Sequence, residues 1–340
     1  QLHSAPLLWD YAHAAGYDTA YWTSQNLMFG NARLYLQDLP LGHFAAGTNI
    51  EPRCDTLTGA RDEALSDYVI RHWPELKEPF FAVVHYSNIH RPRLIDKRRS
   101  PFQPSADKST RTQEGKNHYK NSVYLSDIAV AKLIKSIRAT PSGKRTVIVY
   151  TSDHGEAMRE HRNENDHSST VFDEEVRVPA WIDGPKGTLS PAEQASLASK
   201  KDTPLVQYDL AATILDLLGV WDAPPLARFR ERIIGQPLTR PETYDKPRPL
   251  TNVSWVWEYY QPNWGMILGS KKLLARDEDK KYLCFDLLAD PAENKDLGEA
   301  ACPELLAAAN ERFRILPHDM LQNMRNRPDI WGPWPPRPAP

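Results

Sequence analysis

Cysteine is scarce. Only Cys54, Cys284 and Cys302 occur among 340 residues. Widely spaced and odd in number, they form no zinc-binding spacing and no recognisable disulfide framework, and they leave the redox compartment open. An excess of one charge sign is also lacking. The 42 basic and 44 acidic residues give a formal net charge of −2, so no basic field draws the chain to nucleic acid or anionic lipid, and no nucleic-acid partner is expected. No apolar run approaches the ~18 residues of a membrane-spanning helix. Residue 1 is Gln rather than Met, which is expected of a chain that was processed, trimmed or cut from a longer one. No signal peptide is visible, and no internal repeat. What remains is 41% hydrophobic and 25% charged, the balance of an ordinary globular chain, which excludes wholesale disorder, collagen-like repeats and a simple coiled coil. The length suffices for one large domain, or for a large one with a small companion.

Helical and extended patterns alternate through the first two thirds. Residues 4–15 read as a short helix ended by Gly16, and 17–22 as a strand. Residues 63–73 are helical, with Leu65, Val69 and Ile70 on one side. The run FFAVVHY at 80–86 reads as a strand covered on both faces. A long helix is expected over 119–139, with Val123, Val130, Ile134 and Ile137 on its apolar stripe. TVIVYT at 146–151 is the strongest strand, 178–182 is another, and 205–218 is a helix stopped by Gly219. Such alternation predicts an α/β fold with a mostly parallel central sheet sandwiched by helices. Residues 223–248, rich in Pro and Arg, read as loop. Residues 250–287 read as short antiparallel strands punctuated by Gly265 and Gly269, and 303–316 as a helix. The expected division is therefore 1–222 for the α/β domain, 223–320 for a smaller α+β lobe, and 321–340 for a Pro-rich tail ending in WGPWPPRPAP, an extended polyproline segment.

The chemistry concentrates in TVIVYTSDHGEAMREHRNENDHSSTVFDEEVRVP, residues 146–179. A buried strand runs into Ser152, Asp153, His154 and Gly155, and open α/β sheets gather ligands at the carboxyl ends of their strands. An adjacent Asp and His offer one hard oxygen and one imidazole nitrogen to a divalent ion, and Gly155 permits a tight exit. Spacing alone leaves an equal alternative, in which Asp153 caps a following helix. His161 and His167 follow in a loop-like stretch among Glu156, Glu160, Glu164 and Asp166. Taken singly, each of the two histidines reads as an ordinary surface residue, and 173–177 (DEEVR) as an exposed charged run.

In order and spacing, Ser-Asp-His-Gly-Glu, then Glu160-His161, then the run from His167 to Pro179 resemble the C-terminal metal-site block of the sulfatase family, within the alkaline phosphatase superfamily. Three further segments agree. Residues 80–93 (FFAVVHYSNIHRPR) resemble the family's strand leading into an Asn-x-His-x-Pro loop. Residues 205–220 resemble the helix after the metal block, and 282–297 (YLCFDLLADPAENKDL) the pattern near the family's C-terminus. The resemblance implies an alkaline phosphatase-like fold and a divalent metal ion (Ca, Zn, Mn or Mg) on Asp153 and His154. It also implies a sulfate- or phosphate-ester substrate whose anionic head or leaving group is served by His90 and His167, with His161 at the same rim. Glu156 is expected to sit behind the ligands or to cap.

The chain departs from the family at its start. Residues 4–25 resemble the helix and strand that follow the family's nucleophile, a Cys converted to formylglycine or a Ser or Thr. The nucleophile and the remaining acidic ligands are thus expected upstream of residue 1, leaving this chain with half a metal site and no turnover of its own. Cys54 lies in PRCDTLTGAR, superficially like Cys-x-Pro-x-Arg, but Thr56 and Thr58 stand where Pro and Arg belong. Thr151 and Ser152 would have to point away from the ligands. The leading expectation is a sulfatase-like, metal-dependent hydrolase, its step a displacement through a covalent intermediate. The alternatives are a phosphoethanolamine- or phosphoglycerol-type transferase of the same superfamily, toward which the Asp-His pair leans, and a non-catalytic domain that binds an anion or partner. By analogy the expected location is extracytoplasmic, periplasmic or at the cell surface, with any membrane anchoring through the upstream segment.

Overall fold

The computed structural model describes residues 6–161, 167, 169–252, 255–256 and 259–326. Glu164, Asp166, the residues expected to open the first helix and the WGPWPPRPAP tail lie outside them. The chain divides into two compact units, each discontinuous in sequence: residues 1–148, 183–194 and 210–239, and residues 149–182, 195–209 and 240–340.

In the first unit, helix α1 (Leu8–Ala14) ends where the sequence predicts. Gly16 takes φ +83°, Tyr17 N donates to Ala12 O (3.0 Å) and Gly16 N to His13 O (2.9 Å), the paired bonds of a Schellman stop that favours a residue without a Cβ. Strand β1 (Asp18–Thr23) follows and pairs in parallel with β2 (His43–Ala45) and β3 (Phe80–His85), in the order β2-β1-β3. Side chains alternate across a strand. Ala20 and Trp22 therefore enter one core with Leu65, Val69, Trp73, Leu133 and Ile137, carried largely by α4 (Asp62–His72) and α5 (Gln113–Arg138). Tyr21 faces the other way, where Trp9 of α1 meets it edge-on at 5.5 Å. Helices thus cover both faces, as the alternating pattern requires. Short helices α2 (Ala32–Leu36) and α3 (Gly47–Ile50) fill the connections around β2.

Two details differ from the sequence reading. β3 is half-buried rather than fully covered, because among the described residues it pairs only with β1 and keeps one open edge. On α5, Val123 is exposed, and the buried stripe runs through Ser122, Ser126, Ala129, Leu133 and Ile137. Polar residues occupy that stripe because they have buried work: Ser126 Oγ donates to Asp62 Oδ2 at 2.9 Å.

In the second unit, β4 (Ile148–Thr151) pairs with β5 (Ala180–Asp183), with Tyr150 and Trp181 stacked at 5.1 Å. Between them in sequence lies α6 (Asp173–Val176). Of the helices that follow in sequence, α7 (Pro191–Ser199) and α8 (Gln207–Leu217) have residues in both units, and α9 (Ala227–Arg230) lies in the first. The lobe expected after them is an antiparallel sheet in the order β11-β10-β9-β6. Its strands are β6 (Arg248–Thr251), β9 (Trp264–Leu268), β10 (Lys271–Ala275) and β11 (Leu283–Asp286), with a short pair, β7 (Trp255–Val256) and β8 (Tyr259–Tyr260), between the first two in sequence. Leu268 pairs with Lys271, so Gly269 and Ser270 form a two-residue hairpin loop, and Gly269 supplies the positive φ, +56°, that such loops demand. Helix α10 (Pro303–Phe313) packs Leu305 and Ala309 against Trp264, Met266 and Leu273.

Two expectations are corrected here. Cys284 and Cys302 are bonded, with a Cα–Cα distance of 6.1 Å, tying β11 to the start of α10. The odd count concealed this pair because Cys54 is the one left over. The segment from 321 also does not begin as a tail: α11 (Pro317–Arg325) runs into it and buries Leu321 and Met324.

Candidate active site

The second unit assembles its site around the exit of β4. Asp153 Oδ1 accepts the N–H of His154 (3.0 Å) and the hydroxyl of Ser152 (3.3 Å). Among the described residues no helix begins after Asp153, so it serves as no helix cap, and one of the two readings left open by spacing falls away. Its side chain is 80% exposed, and Oδ2 stands 3.6 Å from His154 Nε2. His154 Nδ1 lies 2.7 Å from the carbonyl oxygen of Gly155. A carbonyl only accepts, so Nδ1 donates to it, and the Nε2 edge faces Asp153.

This donor set fits a divalent ion. A separation of 3.6 Å is spanned by two ligand bonds of about 2.0–2.4 Å to a shared cation. The ring is oriented through its other nitrogen, as metal-ligating histidines usually are. Among the described residues no group of three or more His, Cys, Asp or Glu side chains converges as a metal cage, so the pair by itself would supply only part of a coordination sphere.

His167 is brought to the same place. Its ring stacks on that of His154, centroids 3.9 Å apart and 16° from parallel. His161 has a different setting. Its Nδ1 is 2.5 Å from Glu174 Oε1, its Nε2 is 3.1 Å from Glu293 O, and its ring lies flat on Phe172 at 3.8 Å. Both polar partners are acceptors, an arrangement that suits the doubly protonated imidazolium. Asp173 and Glu293, next in this framework, share the fully buried ammonium of Lys272 at 2.8 and 2.9 Å. Glu160 Oε2 accepts Met158 N at 2.6 Å, a local turn contact.

His90 belongs to the first unit, just beyond the carboxyl end of β3, with Phe29 edge-on at 4.7 Å. The Asn of its Asn-x-His-x-Pro loop is an anchor: Asn88 Oδ1 accepts Asp62 N (2.7 Å), and Nδ2 donates to Thr58 O (3.0 Å) and Ala60 O (2.8 Å). Asp62 in turn accepts from Ser24 Oγ and Ser87 N. Burial pushes its carboxyl above the usual range, and these bonds offset that only in part. A cavity of about 550 Å³ lined by His13, Asp18, Leu41 and Lys77 opens at the opposite, amino end of this sheet, the end where parallel sheets seldom place their chemistry. Cys54 is no activated thiol. Burial, then Glu51, pushes its pKa up.

Several contributors were invisible to sequence reasoning. Gln207, at the first position of α8, donates from Nε2 to the carbonyls of Ser152 and Asp153, so a helix read as plain core pins the backbone beneath the proposed ligands. Glu175, read as part of a charged run, is completely buried. No local signal marks either residue, since each acts across a long sequence separation or from inside a polar-looking stretch.

Comparisons with known proteins bear on the chain's family. The Sulfatase family model matches residues 1–220. Among curated proteins, the chain is 29% identical over 173 residues to the Delta 4,5-hexuronate-2-O-sulfatase of Bacteroides thetaiotaomicron, covering 50% of this chain and 34% of that one. It is 32% identical over 210 residues to arylsulfatase K of Xenopus laevis, covering 56% and 34%. The chain thus spans about a third of the length of these relatives. A solved alkaline phosphatase superfamily protein from Vibrio parahaemolyticus superposes with a TM-score of 0.60 at 18% identity, covering 90% of this chain and 66% of that one, which shows the fold. With its matched region extending well past half its length, the chain belongs to the Sulfatase family.

Proposed function

We propose that the chain carries the metal- and leaving-group half of a sulfate-ester hydrolase site. The observation that carries this reading is the Asp153–His154 pair, one oxygen and one nitrogen 3.6 Å apart, with its imidazole oriented by Gly155 O and a second imidazole stacked against it. Asp153 and His154 would hold a divalent ion, which when bound would neutralise charge on the ester and on its attacking group. His167, against the ligand ring, is placed to hold a proton for the leaving group or to donate to a non-bridging oxygen. General acid catalysis of this kind typically contributes about 10²–10⁴-fold. His90 is assigned to the anionic head on the strength of its Asn88-anchored loop at a carboxyl strand end. His161 supports the loop that carries His167, since Glu174 and Glu293 O engage both its nitrogens.

Cys54 is set aside as the nucleophile, because burial raises its pKa and neighbouring carboxylates disfavour its thiolate. An extracytoplasmic setting is supported by the Cys284–Cys302 bond, a linkage that persists in oxidising compartments. The test is Mn²⁺ titration of the chain by calorimetry and electron paramagnetic resonance, together with hydrolysis of 4-nitrophenyl sulfate and 4-nitrophenyl phosphate by the protein extended to include a nucleophile. Wild-type binding that His154→Ala abolishes, with sulfate turnover, supports the reading. Unchanged binding in His154→Ala overturns the ligand assignment, and turnover of the phosphate alone turns the reading towards phosphoryl chemistry.

A further inference from the structure

Glu175 contributes no atom to the proposed ligand pair or to the stacked rings, yet both histidines depend on segments that it holds. Its side chain is fully buried. Oε2 accepts Ser169 N (3.0 Å), Thr170 N (3.2 Å) and Asn252 Nδ2 (2.9 Å), while Oε1 accepts Ser169 Oγ (2.6 Å) and Thr170 Oγ1 (3.3 Å). Four of these five donors, on Ser169 and Thr170, fix the chain two and three residues beyond His167. The main-chain carbonyl of Glu175 accepts Gly155 N at 2.7 Å, and the carbonyl of Gly155 holds the His154 ring at Nδ1.

The close approach that makes this possible is specific to glycine. A Cβ at Gly155 would lie 2.2 Å from Glu174 O and 3.0 Å from its carbonyl carbon, contacts with backbone that cannot swing aside. The segments bearing His154 and His167 are therefore fastened to one residue, by its carbonyl and its carboxylate respectively.

We propose that Glu175 is the positioning residue of this site, its carboxylate setting the stack of His167 on His154 and so the direction of the His154 Nε2 edge beside Asp153. This rests on the ligand reading given above. A carboxylate is a costly choice for stability alone. Burial pushes its pKa up, and the bonds from Ser169 and Thr170 only partly compensate. A buried, fully satisfied polar cluster does, however, specify one arrangement of the loops it joins. The bond pattern also says which replacement suffices. Glutamine can put its carbonyl at the Oε2 position, facing the two backbone N–H groups and Asn252. Its NH₂ then falls at Oε1, where the Ser169 and Thr170 hydroxyls can accept instead of donate.

The test is made on the metal-free chain with histidine-selective ¹³C labelling, reading the cross-peak between the ring protons of His154 and His167. The wild type is expected to show it, Glu175→Gln to retain it and Glu175→Ala to lose it. The contact between Trp264 and Phe313, stacked at 5.4 Å in the same unit, should remain in all three as the sign of an intact fold. A folded Glu175→Ala that keeps the His154–His167 cross-peak overturns the proposal, as does Glu175→Gln losing it as fully as alanine. Should Glu175→Ala not fold, Asn252→Ala removes one donor to the carboxylate. A weakened cross-peak there supports the proposal, and an unchanged one overturns it. Mn²⁺ affinity, measured in parallel, should fall about 10–100-fold in Glu175→Ala, as for other groups that orient metal ligands. Because the cross-peak is read without metal, a stack that depends on Glu175 in a chain that binds no Mn²⁺ would sink the ligand reading and leave the positioning role standing.

Discussion

The imidazoles of His154 and His167 lie face to face, 3.9 Å between centroids. Thirteen positions apart in sequence, they sit on segments that are both bonded to Glu175, through Gly155 N and through Ser169 and Thr170. One ring is fixed by a carbonyl at Nδ1 and turned toward Asp153. The other rests on its face, so that the two rings share one contact.

Gln207 should tune the ligand pair from beneath. Its amide donates to the carbonyls of Ser152 and Asp153 and so restrains the backbone from which the carboxylate projects. Gln207→Ala is expected to weaken Mn²⁺ binding about 10-fold, the lower end of what outer-shell partners contribute, with little loss of secondary structure. Calorimetric titration beside circular dichroism checks this, and unchanged affinity would show that the Asp153 backbone needs no such restraint.

Asp62 gives a pH dependence with a definite sign. Its folded-state pKa lies above the model-compound value of 3.8, with burial as the largest cause. The folded state therefore binds the proton more tightly than the unfolded chain does. The stabilisation that this provides is full below the unfolded pKa and is lost as pH rises through the folded one. Urea midpoints of the wild type should fall across that window, and Asp62→Asn should flatten this part of the profile. A profile that keeps its slope in the variant would assign it to another carboxyl, with Glu293, also raised by burial, the next to replace.

The alternation of strand and helix, the carboxyl-end position of Ser-Asp-His-Gly and the antiparallel lobe were all legible in the sequence, because each depends on periodicity or on local turn chemistry. The paths of 205–218 and 173–177 were legible only as shapes. That Gln207 reaches two carbonyls, or that Glu175 is buried among donors, depends on contacts separated by up to 77 positions, which no window captures. The α5 stripe misled for a related reason. Ser122 and Ser126 are buried, and a hydrophobicity pattern assigns polar residues to the surface, promoting Val123 in their place.

The Cys284–Cys302 bond closes a loop of 18 residues. Chain-entropy arguments put the stabilisation from such a loop at about 3 kcal/mol. Cys284→Ser is expected to lower stability by that order, and dithiothreitol should lower the wild-type urea midpoint but leave the variant's unmoved. Equal responses of the two proteins to the reductant would show that the bond does not form in solution.

The ion cluster under the His167 loop separates two kinds of cost. Lys272 is fully buried between Asp173 and Glu293. Lys272→Met strands the Glu293 carboxylate in the interior and leaves Asp173 only Arg177, 3.6 Å away, and breaking a buried pair from one side costs about 3–5 kcal/mol. Adding Glu293→Gln removes the stranded charge, so the double variant should recover part of that loss despite having one more native contact deleted. Denaturant unfolding of the two single variants and the double closes the cycle. Recovery would mean that the unpaired charge, rather than the lost ammonium contacts, dominates the single variant. Strict additivity would instead mean that water reaches the cluster once the lysine is gone, and that the loop bearing His161 and His167 is held by its hydrogen bonds to Glu174, Glu175 and Glu293 O without help from the ion triad.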